Sequence, residues 1–234
     1  MSSMKNIFVA LDDMNREEIF HFLDSSAGSI SSVKMGLEIF NLYGREFVKE
    51  INSKYGVDIF LDLKLHDIPN TVSKAIKSLE GLPIKFLTIH LSGGLNMIKS
   101  SIESRDQYLP NCKVLGVSIL TSLDENDIES IWGVRDSKDL FFKLFSLANL
   151  AGADGVVCSP NELNILNELD HNLISMCPGI RFQDEIDQQT TGDQKRVLSP
   201  SDAFSNGATY LVMGRSLTKS KNLKERILEL ESIK

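Results

Sequence analysis

The chain has 234 residues, of which 42% are hydrophobic and 24% charged, and its formal net charge is −7. This length suits one large domain, so we expect a single domain over residues 1–234. The acidic balance argues against nucleic acid and acidic membranes as partners, because both require a basic surface, but it permits a small anionic ligand held by a few local cations.

The cysteines and the amino terminus argue against further classes of protein. Cys112, Cys158 and Cys177 are odd in number, lie far apart and form no C-x-x-C pair, so neither a disulfide framework nor a zinc site is predicted. Residues 1–13 lack the pattern of a secretory signal, and no run of about 18 apolar residues indicates a membrane span. We expect a soluble, cytoplasmic protein with reduced cysteines.

Short β-branched or apolar runs alternate with longer stretches of helical spacing, which is typical of repeated βα units. Eight strands are predicted: Ile7–Asp12, Ser32–Gly36, Asp58–Leu65, Phe86–Leu91, Val114–Leu120, Gly155–Ser159, Leu173–Pro178 and Tyr210–Gly214. The predicted helices are Asn15–Ser25, Phe40–Ser53, Thr71–Leu79, Leu95–Ser104, Ser137–Ala151, Pro160–Glu168 and Leu223–Ile233. This order favours a closed (β/α)₈ TIM barrel over an open sheet.

Residues 181–196 are polar and show no sustained apolar period. They are predicted to form a long loop after the seventh strand. Long loops in compact domains are often functional lids.

The segment Phe60–Thr71, FLDLKLHDIPNT, carries the strongest signal for chemistry. Alternate residues of a strand share a face, so the leucines are predicted to meet the helices while Asp62, Lys64 and His66 point into the barrel. They would lie near the carboxyl end of the strand, where barrel enzymes carry their active sites. Taken alone, an Asp-x-Lys pattern more often reflects a buried ion pair or the solvent-exposed face of an edge strand.

Other predicted strands repeat this arrangement near their carboxyl ends. Asp12 ends the first strand, and Lys34 and His90 lie late in the second and fourth. Removing several charged groups from water together costs free energy, and a purely structural site gains little from it. Their convergence at one rim therefore favours a functional site. His90 remains open between a functional and a structural role.

Two arginines follow the last two predicted strands, Arg181 in Pro178-Gly-Ile-Arg and Arg215 in Met213-Gly-Arg-Ser. The corresponding loops of TIM barrels commonly bind phosphate, and arginines can grip phosphate oxygens by paired hydrogen bonds. The simpler interpretation of each is a turn followed by a solvated arginine. The sequence contains no P-loop motif (G-x-x-x-x-G-K-[ST]), no dinucleotide-binding motif (G-x-G-x-x-G) and no zinc-protease motif (H-E-x-x-H), and no metal or cofactor is predicted.

These segments, in order along almost the whole chain, resemble bacterial orotidine 5′-phosphate decarboxylases. They are FVALD (8–12), VKMG (33–36), FLDLKLHDIPNT (60–71), TIHLSGG (88–94), ILTS (119–122), DGVVCS (154–159), PGIR (178–181), GDQKRV (192–197) and MGRS (213–216). The segment from Phe60 to Thr71 is the specific part of the resemblance, whereas MGRS or VALD alone would be weak.

The resemblance implies an enzyme that removes CO₂ from orotidine 5′-monophosphate to give UMP, the last step of de novo pyrimidine synthesis, with no metal or cofactor. It also implies a homodimer with its sites at the interface. Lys34, Asp62, Lys64 and Asp67 would form a charge array in which Lys64 donates the proton and Asp67 comes from the second subunit.

The resemblance further implies a set of substrate contacts. Asp12 and Lys34 would hold the ribose, and Thr71 would reach the partner's nucleotide. Ser122, beside Thr121, would contact the pyrimidine ring. The phosphate would be bound by Arg181, Gln194, Gly214 and Arg215, and further substrate contacts are implied at Ile68, Thr121 and Pro178. The stretch from Arg181 to Gln194 is a few residues longer than the family pattern.

Two alternatives remain. One is a metal-dependent relative, a 3-keto-gulonate-phosphate decarboxylase or hexulose-phosphate synthase, in which a similar Asp-x-Lys strand works with Mg²⁺. Residues 66–71 resemble the orotidylate enzymes instead. The other is a catalytically silent nucleotide-binding barrel, which would have no need for Asp62 facing an anionic substrate.

Overall fold

In the computed structural model, which describes residues 3–188 and 197–233, eight parallel strands close into a barrel in chain order. The strands are β1 (Ile7–Ala10), β2 (Ser32–Gly36), β3 (Asp58–Leu65), β4 (Ile84–His90), β5 (Lys113–Val117), β6 (Gly155–Val157), β7 (Ile174–Cys177) and β8 (Tyr210–Met213). Pairing of β8 with β1, for example Leu211 with Ile7, completes the ring. The predicted fold class is confirmed.

Helices alternate with the strands and pack around the barrel. The α-helices are α1 (Arg16–Ser25), α2 (Leu37–Tyr55), α3 (Pro69–Lys77), α4 (Gly94–Tyr108), α5 (Glu125–Trp132), α6 (Ser137–Ala151), α7 (Leu163–Leu166), α8 (Gln183–Asp187), α9 (Pro200–Ser205), α10 (Arg215–Thr218) and α11 (Leu223–Ser232). Within the described ranges, no helix is long and apolar enough to cross a membrane.

Most predicted strands extend too far at the carboxyl end. β1 ends at Ala10 rather than Asp12, and β5 ends at Val117 rather than Leu120. β6, β7 and β8 likewise end one or two residues early. The chain leaves the ladder at the rim and enters the loops that carry the polar residues, so the apolar run continues where the strand pairing does not.

The prediction of one long loop over residues 181–196 is wrong at its start. α8 follows Phe182, whose ring is fully buried. Glu185 accepts the Phe182 N–H at 2.9 Å, and the Arg226 guanidinium lies 4.0 Å from the centre of the Phe182 ring. A helix of five residues is too short to show an apolar period, so packing and capping determine it. Residues 189–196 lie outside the described part of the chain.

The core consists of two layers. Inside the barrel, edge-to-face aromatic contacts join Phe8, Phe60, Phe86 and Tyr210, with ring centres 5.2–6.1 Å apart. A larger apolar layer fills the space between the strands and the helices. The barrel is therefore a packed body, and its aromatic interior lies directly beneath the carboxyl-end rim.

The amino-terminal ends of β5 and β6 are joined to α4 by a largely buried ion pair. Arg105 contacts the Asp154 carboxylate and also donates to the Cys112 carbonyl at 3.0 Å. Asp154 in turn accepts the Val114 N–H at 2.8 Å. This network lies at the opposite end of the barrel from the candidate site.

We therefore expect Asp154→Ala to lower the free energy of unfolding by about 2–3 kcal/mol, because it removes a charged acceptor of the buried Arg105 guanidinium and the side-chain acceptor of the Val114 N–H. Urea unfolding followed by circular dichroism measures the change. The control is Glu129→Ala, which breaks the exposed Arg135–Glu129 pair and should change stability by about 0.5 kcal/mol or less. Equal effects of the two substitutions would contradict the expectation.

Candidate active site

Four charged side chains from three neighbouring strands or strand ends meet at the carboxyl-end rim. Lys34 of β2 lies 2.5 Å from Asp12, measured from Nζ to Oδ2, and 3.6 Å from Asp62 Oδ2. Lys64 Nζ lies 2.6 Å from the same Asp62 oxygen. Asp62 therefore lies between two ammonium groups, as expected if these residues converge.

Asp62 is the most constrained member of this array. Only 10% of its side chain is exposed. Burial alone would raise the pKa of the Asp62 carboxyl, but the charges of Lys34 and Lys64, with hydrogen bonds from Lys64 and Thr88, lower it below its ordinary value. Asp62 is therefore a carboxylate at neutral pH.

Thr88, on β4, binds both charged residues in the carboxyl-terminal half of β3. Its hydroxyl donates to Asp62 Oδ1 at 2.8 Å and accepts the backbone N–H of Lys64 at 2.9 Å. Sequence reasoning assigned this residue no role. The available signal was the alternation along β4, since Thr88 lies two residues after Phe86, whose ring belongs to the barrel interior.

Gly36 permits the close approach of Asp12 and Lys34. A Cβ at this position would lie 2.6 Å from Asp12 Oδ1 and 3.2 Å from Lys34 Nζ. Any side chain here would displace the Asp12 carboxylate, which explains why the VKMG segment ends in glycine at the rim.

The array forms one side of a cavity of about 480 Å³ at the rim. The cavity brings together many of the residues predicted from the sequence: Asp12, Lys34, Asp62, Lys64, Thr121, Ser122, Pro178, Arg181, Gly214 and Arg215. Apolar side chains complete the lining, among them Phe60, Val157 and Val212. The site therefore combines apolar side chains with acidic and basic groups in one cavity.

The two arginines line the same cavity as the lysines, and local backbone structure positions both. Gly179 adopts a left-handed conformation with φ of 79°, and the Arg181 N–H donates to Leu198 O at 3.1 Å. Arg215 is the first residue of α10, directly after Gly214. Guanidinium groups in this arrangement suit a phosphate or another doubly charged anion.

Other predicted site residues do not line this cavity. Asp67, Ile68 and Thr71 are exposed, and Asp67 Oδ1 accepts the Ile68 N–H at 2.7 Å. Gln194 falls outside the described residues. Within one chain, the structure therefore joins the predicted Lys34, Asp62 and Lys64 but not Asp67.

Two histidines border the array beside Lys64. The rings of His66 and His90 lie 5.2 Å apart. Burial, His66 and Lys64 lower the pKa of His90 below its ordinary value, with Asp62 acting in the opposite direction. His90 is therefore neutral at pH 7 and adds no third cation to the rim.

The Lys64 ammonium is more exposed at the cavity than that of Lys34, because 32% of the Lys64 side chain is exposed compared with 10% for Lys34. A ligand held by the arginines could thus reach it. In the described part of the chain, no group of three His, Cys, Asp or Glu side chains is arranged to hold a metal ion.

Comparison with known proteins agrees with the predicted family. A family model described as orotidine 5′-phosphate decarboxylase / HUMPS matches residues 5–230. The orotidine 5′-phosphate decarboxylase of Ehrlichia canis is 42% identical over 217 residues, covering 92% of each chain, and that of Staphylococcus saprophyticus is 38% identical, covering 94% of each.

A solved structure of orotidine 5′-phosphate decarboxylase from Lactobacillus acidophilus superposes with a TM-score of 0.81 at 32% identity, covering 97% of this chain and 98% of that one. Sequence and structure therefore agree over nearly the full length. The chain belongs to the orotidine 5′-phosphate decarboxylase / HUMPS family.

Proposed function

We propose that the chain decarboxylates orotidine 5′-monophosphate to UMP and CO₂, the last step of de novo pyrimidine synthesis, without a metal or cofactor. The observation that carries the proposal is the Lys34–Asp62–Lys64 array in a cavity that Arg181 and Arg215 also line. Family membership and the names of the relatives support the same reaction.

The chemistry explains why such an array is needed. Breaking the bond from C6 to the carboxylate leaves an electron pair in the plane of the pyrimidine ring, where no conjugated group can accept it. A fixed positive charge beside C6 stabilises this pair as it develops. In the proposed mechanism Lys64 supplies the charge and then transfers a proton from Nζ to C6, while CO₂ departs.

Asp62 has two roles in this proposal. Its hydrogen bond to Lys64 Nζ, 2.6 Å long, fixes the ammonium group in place. Its negative charge also lies on the side of the cavity where the substrate carboxylate would bind, which disfavours the bound substrate relative to the transition state.

The remaining assignments belong to the same proposal. Asp12 and Lys34 hold the ribose, Thr121 and Ser122 face the pyrimidine, and the two arginines bind the phosphate with Gly214 and Gln194.

We further propose a cytoplasmic, single-domain protein that forms a homodimer, without nucleic-acid or membrane partners. In the dimer, Asp67, Ile68 and Thr71 would serve the partner's site. Their exposure outside their own cavity supports this.

The first test is turnover of orotidine 5′-monophosphate by EDTA-dialysed protein, followed by ultraviolet absorbance with EDTA present. We expect rapid conversion to UMP. Activity only on a sugar phosphate with added Mg²⁺ would instead support the metal-dependent alternative, and tight binding of UMP without turnover would support a silent nucleotide-binding barrel.

Replacing the proton donor should abolish turnover without unfolding the protein. We expect Lys64→Ala to lower kcat by about 10⁵-fold or more, since it removes both the proton and the positive charge. The matched control is Lys85→Ala, which removes the 2.6 Å pair between Lys85 of β4 and Asp58 of β3 at the other end of the barrel. Near-normal turnover by folded Lys64→Ala protein would contradict the mechanism.

Replacing a phosphate ligand should act only through the phosphate. We expect Arg215→Ala to lower kcat/KM for orotidine 5′-monophosphate by roughly 10²–10³-fold, the effect of losing paired charge-assisted hydrogen bonds. With orotidine, which lacks the phosphate, the variant and the wild-type protein should react equally slowly. An equal loss on both substrates would show that Arg215 acts elsewhere.

A further inference from the structure

Lys64 has a strained backbone at the point where the array is built. Its φ is 48°, in the left-handed region that a residue with a side chain seldom adopts. Strain of this kind persists only where the surroundings impose it, and it marks sites where geometry matters.

The strain coincides with an irregular stretch of β3. Leu61 pairs with Leu87 and Leu65 with Ile89, so four steps along β3 face two steps along β4. The ladder is interrupted across this stretch, and the Lys64 N–H donates to the Thr88 hydroxyl instead of to a β4 carbonyl. A side chain of the neighbouring strand therefore stabilises the bulge.

Thr88 is suited to this task because its single hydroxyl uses both of its hydrogen-bonding functions. It accepts from Lys64 N and donates to Asp62 Oδ1, while the other oxygen of Asp62 accepts from Lys64 Nζ. The residue is fully buried, so no water competes for the hydroxyl. Asp62, Lys64 and Thr88 form a closed ring of hydrogen bonds.

We propose that Thr88 is a positioning residue, whose hydroxyl holds the strained backbone of Lys64 and the carboxylate of Asp62 in the one arrangement that presents the ammonium to the substrate. This inference rests on the proposed function, which it deepens. Thr88 does not line the cavity, so it acts through its two neighbours and not by contact with the ligand.

Loss of the Thr88 hydroxyl should change the electrostatics around Asp62, which a purely structural role would not. The charged or titratable side chains around Asp62 are Lys34 on β2, Lys64 on its own strand and His90 on β4. Asp12 lies farther away and pairs with Lys34. Removing the Thr88 hydroxyl takes away one stabilising donor and leaves these groups in place. The pKa of Asp62 should then rise, so Asp62 becomes protonated at a higher pH than in the wild-type protein.

The experiment compares Thr88→Val, which keeps the β-branched shape without the hydroxyl, with Thr88→Ser, which keeps the hydroxyl. We expect Thr88→Val to lower kcat about tenfold or more while KM changes by less than about threefold. The acidic limb of its kcat–pH profile should move to higher pH by about half a unit. Thr88→Ser should restore most of kcat and the wild-type limb. Repeating the profiles with His90→Gln present removes any contribution from histidine titration.

The matched control is Thr209→Val. Thr209 precedes β8 at the opposite end of the barrel, where its hydroxyl accepts the Ser175 N–H at 3.1 Å. The substitution removes an equivalent backbone contact, so stability should fall while kcat and the pH profile stay unchanged. If Thr88→Val does not fold, Thr88→Cys, with its weaker donor, should shift the limb in the same direction by a smaller amount.

The outcomes separate this inference from the proposed function. Failure of the wild-type protein to convert orotidine 5′-monophosphate would overturn the function itself. A wild-type protein that turns over, with a Thr88→Val variant whose kcat and acidic limb match those of Thr209→Val, would overturn the role of Thr88 alone.

Discussion

The site depends on a carboxylate that is kept ionised although it is nearly buried. Asp62 stands directly above the aromatic interior of the barrel, where an isolated charge would be strongly disfavoured. Lys34 and Lys64 compensate its charge, and Thr88 satisfies its second oxygen. Because each lysine also needs a carboxylate partner, the charged side chains of the array stabilise one another and depend on all of its members being present. Loss of one member leaves an uncompensated charge at the rim.

The barrel makes this set possible because parallel strands bring residues that are distant in sequence to one edge. The charged array comes from β2, β3 and the loop after β1, whereas the arginines follow β7 and β8 and line the same cavity. The opposite end carries different polar contacts. There Arg105 and Asp154 connect a helix to two strands. Stability and chemistry thus occupy opposite ends of the same sheet, so the loops at the rim can be specialised without disturbing the lower network.

The sequence predicted what local periodicity and strand alternation determine. The limits of β2, β3 and α6 agree with the prediction, and Asp62 faces the cavity as alternation requires. The left-handed backbone of Lys64 could not be foreseen, because its cause is Thr88 on another strand. The helix α5 was missed although Asp124 and Asp127 form a capping box at its start. Helices of four to six residues, such as α8, carry no period that a sequence pattern could reveal.

Charge balance relates the array to the proposed reaction. Within one chain the two ammonium groups of Lys34 and Lys64 are matched by Asp12 and Asp62, and in the proposed complex the two arginines would match a phosphate with nearly two negative charges. The carboxylate of the substrate is then the one charge without a counterpart, and it would lie beside Asp62. In the proposed reaction, release as neutral CO₂ would remove that carboxylate from the site, and the electron pair left on C6 would be the charge that Lys64 neutralises. An arrangement that is balanced for the product and not for the substrate favours loss of CO₂ over simple binding.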